Sequence, residues 1–155
     1  MPGRRFRLQL KVIGPAPLRL NVSRRRTSMS QLVKSVCALK FEEHEFVEFF
    51  GSVGEWNEDA CSYSYTVTRD GLRLLFTMFP LDGGVYTSLY RDGIAEPIFR
   101  SRLSDCTQSR FVSRGSLHCL EIGRPERPTS ETTAPVTWGL RLFIEPHFTL
   151  EYIHL

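Results

Sequence analysis

The sequence lacks the motifs by which most catalytic and metal-binding proteins are recognised. It has no G-x-S-x-G nucleophile turn, no G-x-x-x-x-G-K-[ST] or G-x-G-x-x-G phosphate loop and no C-x-x-C pair. Residues 44–48 begin like the zinc motif H-E-x-x-H, but Glu48 stands where the second histidine is needed. We therefore expect no cofactor, no metal and no catalytic residues, which makes an enzyme the less favoured class.

Long apolar runs and cysteines are also scarce. No apolar run approaches the roughly 18–20 residues that a membrane-spanning helix needs, so we expect no membrane partner. Four cysteines are too few, in a chain of 155 residues, to staple a small secreted scaffold. Free thiols then favour a cytoplasmic protein, and the excess of 17 arginines over 3 lysines is typical of a GC-rich bacterial genome.

Charge is distributed unevenly along the chain. Residues 1–28 contain 8 basic side chains and no acidic one, whereas residues 29–155 contain 12 basic and 17 acidic side chains, a net charge of −5. The overall charge of +3 therefore describes neither part. We interpret residues 1–28 as a basic arm and residues 29–155 as a single domain.

Several interpretations of the arm remain open. Its arginines could bind nucleic acid, its acid-free composition suits an organellar targeting peptide, and alternating apolar residues on both sides of Gly14-Pro15 suit a β-hairpin. The favoured interpretation is a disordered tail or a gene-start artefact, because Met29 is followed at once by a helical pattern.

That helical pattern extends over residues 30–50. Ser28 or Ser30 can cap its first turn, and Gly51, which tolerates a positive φ, ends it. The apolar residues expected to face the core are Leu32, Val36, Leu39, Phe46 and Phe50. The pattern is interrupted near residues 39–42, so it predicts either one long helix or two short ones.

From residue 60 onwards the apolar period changes to two, which indicates β-strands. Segment 72–79 is apolar on nearly both faces and is predicted as a central strand. Asp70-Gly71 supplies the positive φ of a tight hairpin turn, and the short spacings suit antiparallel neighbours. We therefore predict an α+β fold, in which an N-terminal amphipathic helix packs on a mainly antiparallel meander sheet of roughly six to eight strands.

Two groups of side chains are candidates for binding a partner. One is the acidic side of the helix, and the other is a pair of tyrosines on the predicted strand 85–90, since tyrosine is enriched at protein interfaces. The six residues are Glu42, Glu43, Glu45, Glu48, Tyr86 and Tyr90. Each group also has a purely structural interpretation, as a solvated helix face or as an aromatic ladder between strands.

In size, in the acidity of its body and in its layout of one helix followed by a meander, the chain resembles the immunity proteins of bacterial toxin systems. The strings that contribute to this resemblance are Phe46–Gly51, Asp70–Leu75 and Leu117–Ile122, and it extends loosely over residues 29–155. It implies a non-catalytic protein-binding module that neutralises a cognate toxin by occluding its active site. For a body of charge −5, a basic toxin domain such as a nuclease is a natural protein partner.

Other functions compete with this one. The main alternative is a curved sheet that binds a small ligand in an apolar pocket, lined by Phe76, Met78, Phe99 and Phe143. An enzyme with a site built from scattered residues would use, as first candidates, His118, Glu121 and Arg141. Nucleic acid is not an expected partner, and only the arm suggests it. Nothing in the sequence predicts the oligomeric state.

Overall fold

A computed structural model describes residues 39–127 and 134–155, together with the backbone of residues 10–13. Within these ranges the chain forms one helix and ten strands. Their bounds are β1 Leu10–Ile13, α1 Glu43–Phe50, β2 Glu55–Asn57, β3 Ser62–Arg69, β4 Leu72–Phe79, β5 Gly84–Arg91, β6 Phe99–Leu103, β7 Gln108–Arg114, β8 Leu117–Pro125, β9 Val136–Phe143 and β10 Thr149–His154. The rest of the predicted arm, and residues 30–38 of the predicted helix, lie outside the described residues.

The strands form two five-stranded sheets. Sheet I has the order β1-β10-β9-β8-β7, and sheet II has the order β2-β3-β4-β5-β6. All neighbouring strands are antiparallel except β1, which runs parallel to β10. The predicted central strand is confirmed, because β4 lies in the middle of sheet II. The predicted turn is also confirmed, because Asp70 and Gly71 have φ values of 52° and 74°.

The predicted fold class is wrong. The described structure is mostly β, with one helix of eight residues and two sheets, rather than an α+β fold with an N-terminal amphipathic helix packed on a single meander sheet. The meander divides at the link between β6 and β7. Asp105 in this link adopts the left-handed backbone conformation, with φ 58°, and the chain passes there from sheet II into sheet I.

Both sheets contribute one apolar face to a common core. In sheet II, β4 completely buries Leu74, Phe76 and Met78, and in sheet I, β8 completely buries Leu120 and Ile122. Full burial of one such side chain stabilises the fold by about 1.5–3 kcal/mol relative to leaving it exposed. The core thus lies between the sheets, where alternate residues of each strand meet.

Helix α1 begins at Glu43, so the single long helix over residues 30–50 is wrong, and the predicted interruption near residues 39–42 is present. The residues just before α1 pair with other segments instead. The Leu39 N–H donates to Pro80 O over 2.7 Å, and the Lys40 N–H donates to Thr107 O over 3.1 Å. The helix ends at Gly51 as predicted, with φ 68°. In the described part of the chain, no helix is long and apolar enough to cross a membrane.

Two buried phenylalanines hold α1 against both sheets. The ring centroid of Phe46 lies 5.6 Å from that of Tyr65 in sheet II and 5.2 Å from that of Phe111 in sheet I. Phe50 stacks on Tyr65 at 4.7 Å. The helix therefore bridges the two sheets and leaves its glutamates exposed to solvent.

Strand β1 falls within the predicted arm. The interpretation of this arm as a gene-start artefact, with the protein beginning at Met29, can therefore be tested. A chain beginning there would lose the pairing of Leu10–Ile13 with β10. At about 1 kcal/mol for each of roughly three backbone hydrogen bonds, we expect the melting temperature to fall by about 6–12 °C. Thermal denaturation of the full and shortened chains, followed by circular dichroism, measures this. Equal melting temperatures would contradict a structural role for β1.

Candidate partner-binding surfaces

Two adjoining clefts flank α1 where it meets β7 and the hairpin between β7 and β8. The hairpin cleft has a volume of about 370 Å³ and is lined by Glu45, Glu48, Phe49, Phe111, Ser116, Leu117, His118, Ile144 and Glu145. The strand cleft has a volume of about 740 Å³ and is lined by Leu39, Lys40, Phe41, Glu42, Glu45, Ser109, Arg110, Phe111, Val112 and Ser113.

The hairpin cleft combines apolar side chains with exposed carboxylates. Phe49, Phe111 and Ile144 are buried or half-buried, and Leu117 is exposed. The carboxylates are those of Glu45, Glu48 and Glu145, and none of the described residues that line this cleft is a lysine or arginine. Arg69 contacts Glu145 at 3.0 Å, yet the Glu145 side chain remains 72% exposed. Lysine and arginine side chains, which carry a cationic head on an apolar stem, complement such a cleft in charge and in apolar character.

Three of the four predicted glutamates line these clefts. Glu42, Glu45 and Glu48 are spaced three residues apart, which places them along one side of the helix. Glu43 is exposed but lines neither cleft. Its charge acts instead on Tyr65, whose pKa is raised to about 12, mainly by burial and secondarily by Glu43.

The two predicted tyrosines lie on a different surface. Val85, Thr87 and Leu89 of β5 face the core, so Tyr86 and Tyr90 project from the opposite face of sheet II. Helix α1 packs on the core side of that sheet. The six predicted residues therefore form two separate surfaces, and the structure does not bring the tyrosines together with the glutamates.

The scattered candidates for a catalytic site do not converge. Glu121 and Arg141 form an ion pair at 2.6 Å, and both are buried, whereas His118 is exposed and bonds to Ser113. A cysteine nucleophile is not favoured at Cys106 either. Burial raises the pKa of its thiol to about 12, so the thiol stays protonated at neutral pH. Across the described ranges, no group of three or more His, Cys, Asp or Glu side chains could hold a metal ion.

The side chains predicted to line an apolar ligand pocket are also separated. Phe76 and Met78 are fully buried in the common core, and Phe99 packs half-buried against it. Phe143 follows Leu142 on β9, and because Leu142 faces that core, Phe143 points away from it on the other face of sheet I. These four side chains therefore do not surround one cavity.

Much of the hairpin cleft was missed by the sequence analysis. Phe49 lies four residues after Glu45, so helical spacing alone could have identified it. Phe111, Leu117 and Glu145 come from strands and turns distant in sequence. No local pattern connects these residues with the helix, because only the tertiary fold brings them beside it.

Comparisons with known proteins bear on the fold. No protein-family model matches the chain, and no curated protein matches it in sequence. Among solved structures, it is similar to a chain of the contact-dependent growth inhibition toxin–immunity protein complex from Klebsiella pneumoniae 342. The TM-score is 0.57 at 16% sequence identity, over 76% of this chain and 96% of that chain. The resemblance in layout to bacterial immunity proteins is thus confirmed, at the level of the fold.

Proposed function

We propose that this chain is a non-catalytic protein-binding module of the bacterial cytoplasm that neutralises a cognate toxin by covering its active site. The fold it shares with a chain of a toxin–immunity complex supports a protein partner. The hairpin cleft is the observation that supports the choice of surface, because its lining combines three carboxylates with apolar side chains and, among the described residues, includes no lysine or arginine.

A basic toxin domain fits this surface best. Complementary charge speeds association and disfavours wrong partners, and nucleases are a natural source of basic surfaces because they bind phosphates. We propose that a lysine or arginine of the toxin lays its apolar stem over Phe49 and Phe111, whose rings contact each other with centroids 5.2 Å apart. The cationic head would then meet Glu45 and Glu48.

Charge reversal tests this surface. In the triple variant Glu42→Lys, Glu45→Lys, Glu48→Lys, we expect affinity for the toxin to fall at least tenfold, since like charges would then face each other. The toxin to test is the one encoded beside this gene. Titration calorimetry measures the affinity, and growth of cells that express the toxin measures neutralisation.

A matched control reverses three exposed acidic residues that line neither cleft: Glu58→Lys, Asp59→Lys and Glu126→Lys. This variant has the same net charge as the first, and we expect it to keep its affinity within about threefold, because only long-range steering changes. If both variants lose affinity equally, α1 does not lie in the interface. The absence of a toxin gene beside this one would count against neutralisation itself.

A further inference from the structure

On strands β3 to β6 the exposed face of sheet II is basic, in a chain whose body is acidic. The edge strand β2 adds one exposed acidic residue, Glu55, beside Ser64 on the same face. Strands β3 to β6 contain 5 arginines and no aspartate or glutamate. Strand register places three of these arginines on the face that points away from the core, where Arg73 lies opposite Tyr90, Arg102 opposite Tyr86 and Arg100 opposite Ser88. We name this surface, made of Arg73, Tyr86, Ser88, Tyr90, Arg100 and Arg102, the tyrosine face.

Two of these arginines are positioned by the tyrosines beside them. The Arg73 guanidinium carbon lies 4.8 Å from the ring centroid of Tyr90, and that of Arg102 lies 5.1 Å from the ring centroid of Tyr86. Stacking on a ring restricts a flexible side chain and leaves N–H donors of the guanidinium directed at solvent. Arg73 and Arg102 are therefore fixed cationic donors rather than freely moving ones, whereas Arg100 forms an exposed ion pair with Glu96 at 3.5 Å.

The geometry of the face suits a ligand with repeated negative charges. Arg100 and Arg102 are two residues apart on β6, so their Cα atoms are about 7 Å apart along the strand. Arg73 lies two strands away, on β4. Hydroxyl groups, which commonly contact phosphates, are contributed on the same face by Ser64, Thr66, Thr68, Thr77 and Ser88.

The composition of the face favours nucleic acid over an acidic protein. Protein interfaces have an apolar centre. Besides the two tyrosines, the apolar side chains of β4 to β6 on this face are Leu75 and Phe79, both half-buried, and Phe79 packs against Tyr86. Arginines and tyrosines on a sheet are the groups that contact backbone and bases of single strands. We propose that the tyrosine face binds single-stranded nucleic acid, as a second site independent of the proposed toxin-binding clefts.

Fluorescence anisotropy with the full chain tests this proposal. The probes are fluorescein-labelled oligouridine and oligothymidine of about 12 nucleotides, at about 50 mM salt and then at rising salt. For the double variant Arg73→Ala, Arg102→Ala, we expect affinity at low salt to fall at least tenfold, and the slope of log K against log salt to decrease by about 1.4. Tighter binding of one probe would distinguish RNA from DNA as the natural ligand.

The control must account for the basic arm, which could also bind the probes. The double variant Arg114→Ala, Arg127→Ala removes the same charge from exposed positions outside the tyrosine face. We expect the affinity of this control for the probes to fall less than threefold. The double variant Tyr86→Phe, Tyr90→Phe should bind with unchanged affinity, because both rings remain. Undetectable binding by the full chain at low salt, or equal losses in the two arginine variants, would overturn the proposal. Equally effective competition by polyglutamate would overturn it in favour of an acidic protein.

Discussion

Replacement of Glu121 by alanine is expected to lower the free energy of unfolding by about 3–5 kcal/mol. Glu121 is 1% exposed, and each of its oxygens accepts hydrogen bonds from a different arginine. Arg141 contacts one oxygen and Arg110 the other, both at 2.6 Å. Removing the carboxylate leaves the buried Arg141 with a weaker set of partners, and a buried charge that loses its partner is costly.

Urea denaturation of the variant measures this loss. The control is Glu145→Ala, which removes a carboxylate that also pairs with an arginine but is 72% exposed. We expect that control to lose less than about 1 kcal/mol, because exposed ion pairs contribute little. If the free energy of unfolding falls equally in both variants, the buried ion-pair network of Glu121 does not stabilise the fold more than an exposed ion pair does.

The pH dependence of stability gives the Glu121 prediction a second readout. Burial alone would raise the pKa of Glu121, but hydrogen bonds from Arg141 and Arg110 outweigh it and hold the pKa below its usual value. Stability from this group is therefore complete above the unfolded pKa of about 4.3, and it is lost as the pH falls through the lower, folded value. Glu121→Gln should flatten the stability curve in this acid range.

Most strands after residue 60 were readable from local signals, whereas β2 and the assembly of the strands were not. The period of two and the Asp70-Gly71 turn identify β3 and β4 because both signals lie within a few residues. Four charged side chains form a row across four strands of sheet I: Arg110, Glu121, Arg141 and Glu151. They become neighbours only through the register in which these strands pair. For the same reason, alternation predicted strands but not their division between two sheets.

The candidate surfaces show the same limit. The stripe of Glu42, Glu45 and Glu48 follows from helical spacing, which is local. The opposite side of the clefts comes from β7, the following hairpin and the turn after β9, and no sequence pattern connects these segments. The arginines beside Tyr86 and Tyr90 were likewise unrecognised, since Arg73 and Arg102 approach them from neighbouring strands.

Phe46→Ala should also destabilise the fold by about 3–5 kcal/mol, the usual cost of removing a fully buried phenylalanine. Phe46 is 0% exposed, and its ring lies within 6.2 Å of those of Phe76 and Phe50 and 5.2 Å from that of Phe111. The cavity would open where α1 meets both sheets. Urea denaturation measures the loss, and Val47→Ala is the control, since Val47 is half-buried on the same helix. We expect that control to change stability by less than about 1 kcal/mol.

The proposed toxin binding should weaken with stability in this variant, although Phe46 has no exposed surface with which to contact a partner. The reason is that Phe46 fixes the helix that carries Glu45 and Glu48, and a loosened α1 would no longer hold them beside β7 and the hairpin. Phe46→Leu restores most of the buried volume and should recover stability and affinity together. A variant that folds as stably as the wild type but fails to bind would contradict this coupling, because it would require a direct contact that the burial of Phe46 does not permit.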